Sequence, residues 1–153
     1  MRVGFTCGAF DLFHAGHHIF LRDAKEHCDY LIVGLHTDPT IDRPQKNKPI
    51  QTIYERYTQL KNSAWVDEII PYDTETDLLN VLATNKIDVR FLGSDYLHKS
   101  FTGDDFCQTI NMEIMFINRL HDFSSSELRK RLLDDTHSTK PLFVNPPSKS
   151  SLF

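Results

Sequence analysis

The densest group of residues able to do chemistry is the run Gly8–His18, GAFDLFHAGHH, which follows an apolar N-terminal segment. His14 and His17 lie three residues apart, so in the first turn of a helix both imidazoles can face the same point. A helix N-terminus offers unpaired N–H groups and the positive end of its dipole to an anion. Gly8 permits a sharp turn, and Gly16 removes a side chain where a phosphate would approach. This arrangement suits charge that develops on a phosphate during transfer.

The elements that must position these residues follow from the hydrophobic pattern. Apolar runs alternate with segments of helical spacing, and this alternation predicts a Rossmann-like three-layer α/β/α sandwich with a mainly parallel five-stranded sheet. The ligand crevice of such a sheet lies at the carboxyl ends of its strands. The predicted strands cover 2–7, 30–35, 66–71, 89–92 and 114–117, and the predicted helices cover the region around 19–24, 50–62, 77–84 and 125–133.

Length and composition bound the function. The chain has 153 residues, a formal net charge of −4, eight histidines and three cysteines. This length predicts one domain over 1–133, followed by a flexible tail over 134–153. The acidic balance argues against a nucleic-acid polymer or an anionic membrane as partner. No apolar run is long enough to span a bilayer, and unpaired cysteines without a signal peptide favour a cytoplasmic location.

The run GAFDLFHAGH resembles the GTFDLLHxGH form found in cytidylyltransferases of the HxGH nucleotidyltransferase superfamily. The similarity is greatest to the glycerol-3-phosphate cytidylyltransferase-like proteins and extends from about residue 3 to 133. It includes the segment LGSD at 92–95, and Arg119 followed by the serines at 124–126. These segments resemble family motifs that surround the nucleotide base and triphosphate.

The resemblance implies a role for each matching residue. The residues implied to contact the phosphates in catalysis are His14, His17, Lys46 and Arg119. Those implied to bind the nucleotide are Gly8, Ala9, Phe10, Gly16, Asp95, Ser124, Ser125 and Ser126. Asp11, Lys48 and Arg56 are implied to contact the acceptor or to orient the phosphate-binding loops. No residue is expected to be a metal ligand, and Mg²⁺ is expected to bind mainly through the triphosphate.

The activity implied is transfer of CMP from CTP to a small phosphorylated alcohol, similar to glycerol 3-phosphate, which yields a CDP-alcohol and pyrophosphate. A homodimer is also expected. The motif separates this reaction poorly from adenylyl transfer to a sugar phosphate or FMN, as in the heptose-phosphate and flavin-forming relatives that share GxFDxxHxGH. A catalytically silent nucleotide-binding module is a further alternative. A zinc site at Cys7, His14, His17 and His18 is disfavoured, because adjacent helical residues point about 100° apart.

Overall fold

The computed structural model describes residues 1–134, so the predicted tail lies outside the described residues except for Asp134. Strands and helices alternate along this part of the chain. Across it, no helix is long and apolar enough to cross a membrane. The elements are β1 (Val3–Gly8), α1 (Ala15–Lys25), β2 (Tyr30–His36), α2 (Ile53–Lys61), β3 (Glu68–Tyr72), α3 (Glu75–Thr84), β4 (Val89–Gly93), α4 (Asp104–Thr109), β5 (Glu113–Ile117) and α5 (Ser125–Leu133), with a 3₁₀ turn at Ser94–Tyr96.

The five strands form one sheet in the order β3-β2-β1-β4-β5, and every strand pair is parallel. This confirms the predicted Rossmann-like α/β sandwich. The chain moves outward from β1 to β3 and then returns to β4 on the other side of β1. Right-handed crossovers therefore place α1 and α2 on one face and α3 and α4 on the other. The direction reverses between β1 and β4, which is where such sheets bind ligands.

Two apolar clusters, one on each face, hold the layers together. Leu21 and Ala24 of α1 and Leu60 of α2 pack with Val33 and Phe91 on one side of the sheet. The other cluster joins residues of α3 and α4 to the opposite sheet face, and its members include Val3, Phe5, Ile32, Leu78, Leu82 and Cys107. Because both faces are covered, the strands are apolar without strict alternation.

Helix α2 begins at Ile53, three residues after its predicted start. Thr52 caps the helix, and its hydroxyl accepts the N–H of Glu55 at 3.2 Å while the Glu55 carboxylate accepts the N–H of Thr52 at 2.7 Å. The two preceding N–H groups, of Ile50 and Gln51, instead donate to the Asp11 carboxylate at 2.9 Å each. The carboxylate of Asp11 thus binds Ile50 and Gln51, which the sequence pattern assigned to the helix.

Helix α4 is not among the helices that the hydrophobic pattern predicts. Its start follows Gly103, which has a φ of 85°, a left-handed conformation that glycine adopts without strain. Cys107 of this helix is fully buried in the second cluster. The segment is therefore part of the layer that covers the sheet.

Arg56 of α2 links three segments at the carboxyl end of the sheet. Its side chain is only 2% exposed, and it donates hydrogen bonds only to backbone carbonyls. Nε bonds Gln51 at 3.1 Å, Nη1 bonds Ala9 at 2.9 Å and His36 at 2.7 Å, and Nη2 bonds Thr37 at 2.5 Å. This geometry corresponds to the loop-orienting alternative for Arg56, and it leaves no free edge for an acceptor.

Replacing Arg56 should therefore destabilise the protein strongly. Arg56→Ala leaves one buried and three partly buried carbonyls without their charged donor, and we expect a loss of at least about 3 kcal/mol in the free energy of unfolding, measured by urea denaturation. Lys61→Ala, an exposed change in the same helix, should cost less than about 1 kcal/mol. Equal losses in the two variants would contradict the assigned role.

Candidate active site

A cleft of about 710 Å³ opens at the carboxyl ends of the central strands, at the switch point between β1 and β4. It contains most of the residues that the sequence singled out. Those that line it are Gly8, Ala9, Phe10, His14, Gly16, His17, Lys46, Asp95, Arg119, Ser124 and Ser125. The structure thus brings together side chains from the loop after β1, the loop before α2 and the loop before α5.

Four of the predicted residues do not line this cleft. Arg56 lies beneath the loops, as described above. The Lys48 side chain is 78% exposed, and its Nζ lies 3.9 Å from Asp38. Ser126 is exposed in the first turn of α5. Asp11 lines a smaller adjoining pocket and is only 6% exposed.

The two histidines of the motif cap helix α1. The Nδ1 atom of His14 accepts the N–H of Gly16 at 3.0 Å, and the Nδ1 atom of His17 accepts the N–H of His14 at 3.2 Å. The two rings stack with centroids 3.8 Å apart. The arrangement satisfies N–H groups that a helix leaves unpaired, with imidazoles in place of the usual hydroxyls or carboxylates.

These hydrogen bonds determine the tautomer of both rings. A nitrogen that accepts an N–H carries no proton, so the remaining proton of each neutral ring lies on Nε2. Burial, reinforced by the nearby Arg119 charge, lowers the pKa of His14 from 6.5 to about 4. Burial, reinforced by His14, lowers the pKa of His17 to about 3. At neutral pH both imidazoles are therefore uncharged Nε2–H donors.

The loop before α1 is strained and tightly packed. Phe10 and Leu12 adopt positive φ angles of 49° and 50°, a conformation that costs free energy for residues with a side chain. The Phe10 ring lies 5.3 Å from that of His17. A Cβ at Gly16 would lie 2.7 Å from the His121 ring and 2.9 Å from the His14 ring. Gly16 is thus required for the close approach of these two imidazoles.

Asp11 connects the loop after β1 to the opposite wall of the cleft. Its carboxylate accepts the two N–H groups before α2 and pairs with Arg129 of α5 at 2.5 Å. Its backbone carbonyl accepts the hydroxyl of Ser125 at 2.7 Å. Ser124 caps α5 by accepting the N–H of Glu127 at 3.0 Å. The N-terminus of α5 is therefore fixed beside that of α1, and both helix ends direct positive potential into the cleft.

The cleft carries an excess of unpaired positive charge. Across residues 1–134, Lys46, Arg119, Arg90 and Lys99 line it without an ion pair to a carboxylate. The Arg119 side chain donates a hydrogen bond to the carbonyl of Phe123. Of the described side chains, no group of three or more His, Cys, Asp or Glu is placed to hold a metal ion. The arrangement fits a polyanion such as a triphosphate.

Several lining residues were not predicted as site residues. Arg90 lies in the predicted strand 89–92, and an arginine within this otherwise apolar run is the signal that indicates a role in the site. Arg43 also lines the cleft and pairs with Glu75 at 2.7 Å. His36 and His121, which have no motif support, lie there too.

Comparison with known proteins agrees with this geometry. The family described as cytidylyltransferase-like matches residues 5–131. The bifunctional protein HldE of Paramagnetospirillum magneticum is 34% identical over 132 residues, which is 86% of this chain and 27% of that protein. This chain thus spans about a quarter of the length of that relative.

Solved structures give a similar result. The lipopolysaccharide core biosynthesis protein of Thermoplasma volcanium superposes on this chain with a TM-score of 0.62 at 26% identity. The match covers 81% of this chain and 99% of the solved chain. Pantothenate synthetase of Thermus thermophilus shares the fold, with a TM-score of 0.58 at 10% identity. That match covers 85% of this chain and 64% of the solved chain.

A stacked pair of HxGH imidazoles lies at a helix N-terminus, in a cation-lined cleft of a Rossmann-like sheet. The chain belongs to the cytidylyltransferase-like family, as the match over residues 5–131 shows. The family resemblance inferred from GAFDLFHAGH is thereby confirmed.

The assigned tautomers can be measured directly. In a ¹⁵N-labelled sample at pH 7, long-range ¹H–¹⁵N spectra should show Nε2–H imidazoles at His14 and His17, and both should stay neutral down to about pH 5. Because folding lowers these pKa values, protonation favours the unfolded chain, so their contribution to stability declines as pH falls below 6.5 toward 3. Titration of both rings near 6.5, or Nδ1–H signals, would refute the assignment.

Substitutions at His14 separate its capping role from its chemical role. His14→Asn keeps a side chain that caps helices well, so stability should change by less than about 0.5 kcal/mol, whereas His14→Ala should lose about 1 kcal/mol. Both variants remove the Nε2–H donor, and both should lower the rate of pyrophosphate release by about 10²–10³. Wild-type turnover in His14→Asn would show that the ring serves only as a cap.

Proposed function

We propose that this protein transfers a nucleotidyl group from a nucleoside triphosphate to a sugar phosphate, forming a nucleotide sugar and pyrophosphate. The observation that carries the proposal is the stacked pair of neutral Nε2–H imidazoles at the N-terminus of α1, facing the N-terminus of α5. Phosphoryl-type transfer depends on positioning and on stabilisation of charge at phosphate oxygens, and these groups supply both.

Each cleft residue then has a defined task in the transfer. The Nε2–H groups of His14 and His17 donate to the phosphate oxygens as negative charge builds on the α-phosphate. Arg119 and Lys46 bind the β- and γ-phosphates, and the first turn of α5 supplies backbone donors for the leaving pyrophosphate. Asp95, exposed at the edge of the cleft, lies on the side assigned to the nucleotide base.

The tautomers also favour direct transfer over a covalent enzyme intermediate. A nucleophilic histidine needs a lone pair directed at the substrate, but at His14 and His17 the Nδ1 lone pair is occupied by a backbone N–H. The Nε2 atom, which faces the cleft, carries a proton. We therefore assign the attack to the phosphate oxygen of the acceptor, with pyrophosphate leaving on the opposite side of the phosphorus atom.

The proposal includes Mg²⁺, which would bind together with the triphosphate. Mg²⁺ bound to phosphate oxygens neutralises charge and orients the pyrophosphate group for departure. Asp95 and Asp23 are the carboxylates among the described lining residues, and Asp23 pairs with Arg22 at 2.9 Å. The donor set therefore fits an ion held mainly by phosphates, with Asp95 available through water.

Two observations support a sugar phosphate as the acceptor. The run GAFDLFHAGH fits the GxFDxxHxGH pattern of the heptose-phosphate adenylyltransferases. A matching solved structure at 26% identity belongs to lipopolysaccharide core biosynthesis, and that core is a saccharide. The sequence pattern favours ATP and a sugar phosphate as substrates, and the solved structure favours a saccharide as the acceptor. CTP with a phosphorylated alcohol such as glycerol 3-phosphate is the second candidate, supported by the cytidylyltransferase-like family match.

A matrix of pyrophosphate-release assays tests the proposal. Four nucleoside triphosphates are each combined with sugar 1-phosphates, glycerol 3-phosphate, phosphoethanolamine, phosphocholine and FMN, with Mg²⁺ present. ATP with a sugar phosphate should exceed every other pair by at least about 10-fold in kcat/KM, equivalent to about 1.4 kcal/mol. His14→Asn serves as the control for contaminating activity.

Two other outcomes of these assays would overturn the first proposal. A preference for CTP with glycerol 3-phosphate would replace the first proposal by the second. Nucleotide binding without pyrophosphate release from any pair would contradict both.

A further inference from the structure

Arg90 is a buried charge that the nucleotide-binding residues do not use. It is the second residue of β4, is only 2% exposed, and lines the cleft. Within the part of the chain that the structure describes, it forms no ion pair with a carboxylate. Removing a lone charge from water is costly, so an uncompensated guanidinium at this position needs an explanation.

The contacts of Arg90 orient its guanidinium without neutralising it. Nη1 donates to the carbonyl of Thr102 at 2.6 Å, and the ring of Phe101 lies 5.1 Å from the guanidinium carbon. Nη2 has only a weak contact with the Cys7 sulfur at 3.8 Å. Nε is buried and has no acceptor among the described residues. The edge formed by Nε and Nη2 is therefore the unsatisfied one, and it has the spacing that binds two oxygens of an oxyanion.

Arg90 lies in the half of the cleft opposite the histidine pair. Its neighbour Cys7 packs with the cluster on the face of the sheet covered by α3 and α4, whereas His17 lies on α1 at the other face. Tyr72 and His36 line the same half and stack with ring centroids 4.5 Å apart. Burial raises the pKa of Tyr72 and lowers that of His36, so both are uncharged at neutral pH. Arg90 thus lies near uncharged rings, and among residues 1–134 it forms no ion pair with a carboxylate.

We propose that Arg90 binds the phosphate of the acceptor. This inference rests on the proposed function, because in-line attack brings the acceptor to the phosphorus from the side opposite the departing pyrophosphate. The N-termini of α1 and α5 hold the triphosphate, which leaves the half of the cleft beside α3 and α4 for the acceptor. A phosphate bound along the Nε–Nη2 edge supplies the counter-charge that the protein itself lacks there.

Inorganic phosphate is a direct probe of this subsite. The experiment compares the Tm of wild type and of Arg90→Met, each with and without phosphate. Adding phosphate to wild-type protein saturated with ATP and Mg²⁺ should raise the Tm, because a ligand of the native state stabilises it. Arg90→Met removes an uncompensated buried charge at similar volume, so its own Tm should equal or exceed that of wild type. Its apparent phosphate affinity should fall at least about 10-fold. Arg131→Met, an exposed change in α5, should keep the wild-type phosphate response.

A second measurement needs no variant at Arg90. The sulfur of Cys7 lies beside Nη2, so phosphate bound there should slow alkylation of Cys7 by a small thiol reagent, as read by peptide mass spectrometry. Cys28, which lies in the loop after α1 and beside Gly4 of β1, does not line the cleft, so it should react at an unchanged rate and serves as the internal control. Unchanged Cys7 alkylation, or a less stable Arg90→Met that keeps its phosphate response, would overturn the proposal and leave Arg90 a structural residue.

The kinetic consequence separates this inference from the proposed function. Arg90→Met should raise the KM for the acceptor at least about 10-fold while the KM for the nucleotide changes less than about 2-fold. An unchanged acceptor KM in an active variant would reject the Arg90 subsite alone. Absence of pyrophosphate release from wild type with every substrate pair would reject the proposed function, whatever phosphate does at Arg90.

Discussion

Two backbone N–H groups determine what the active site can do. The amides of Gly16 and His14 donate to the Nδ1 atoms of His14 and His17, and these bonds force both ring protons onto Nε2. These two hydrogen bonds thereby cap the helix, fix the orientation of the rings and leave two neutral Nε2–H donors at the cleft. Burial keeps the rings uncharged, so they bind a polyanion through directed hydrogen bonds rather than through full charges.

The histidine pair depends in turn on a strained loop held by buried charges. Asp11 ties this loop to the residues before α2 and to Arg129 of α5, and Arg56 binds the carbonyl of Ala9 from below. Neither Asp11 nor Arg56 needs to touch a substrate. Their bonds compensate for the positive φ angles of Phe10 and Leu12, which would otherwise favour a different loop. These two charged side chains therefore hold the loop in place. Across residues 1–134, Lys46, Arg90, Lys99 and Arg119 line the cleft without an ion pair to a carboxylate.

The sequence predicted the fold well because the apolar runs and helix caps are local signals. Helix α5, for example, begins and ends where Ser124 and the apolar spacing indicated. The missed features depend on contacts distant in sequence. Asp11 binds the amides before α2 and thereby shifts the start of that helix, and Arg56 is buried by carbonyls from two strand ends. The place of Arg90 in the cleft depends on the packing of α4, which the sequence pattern did not reveal. Periodicity shows which residues face inward, but not which polar groups meet there.

The central claim is that His14 and His17 are proton-bearing donors and that the acceptor attacks the α-phosphorus directly. The most direct test is the stereochemical course at that phosphorus, measured with a nucleoside triphosphate carrying a chiral α-thiophosphate. A single in-line displacement inverts the configuration, and the orientation of both imidazoles predicts inversion. Retention would require two successive displacements through a nucleotidylated side chain, and it would contradict the account.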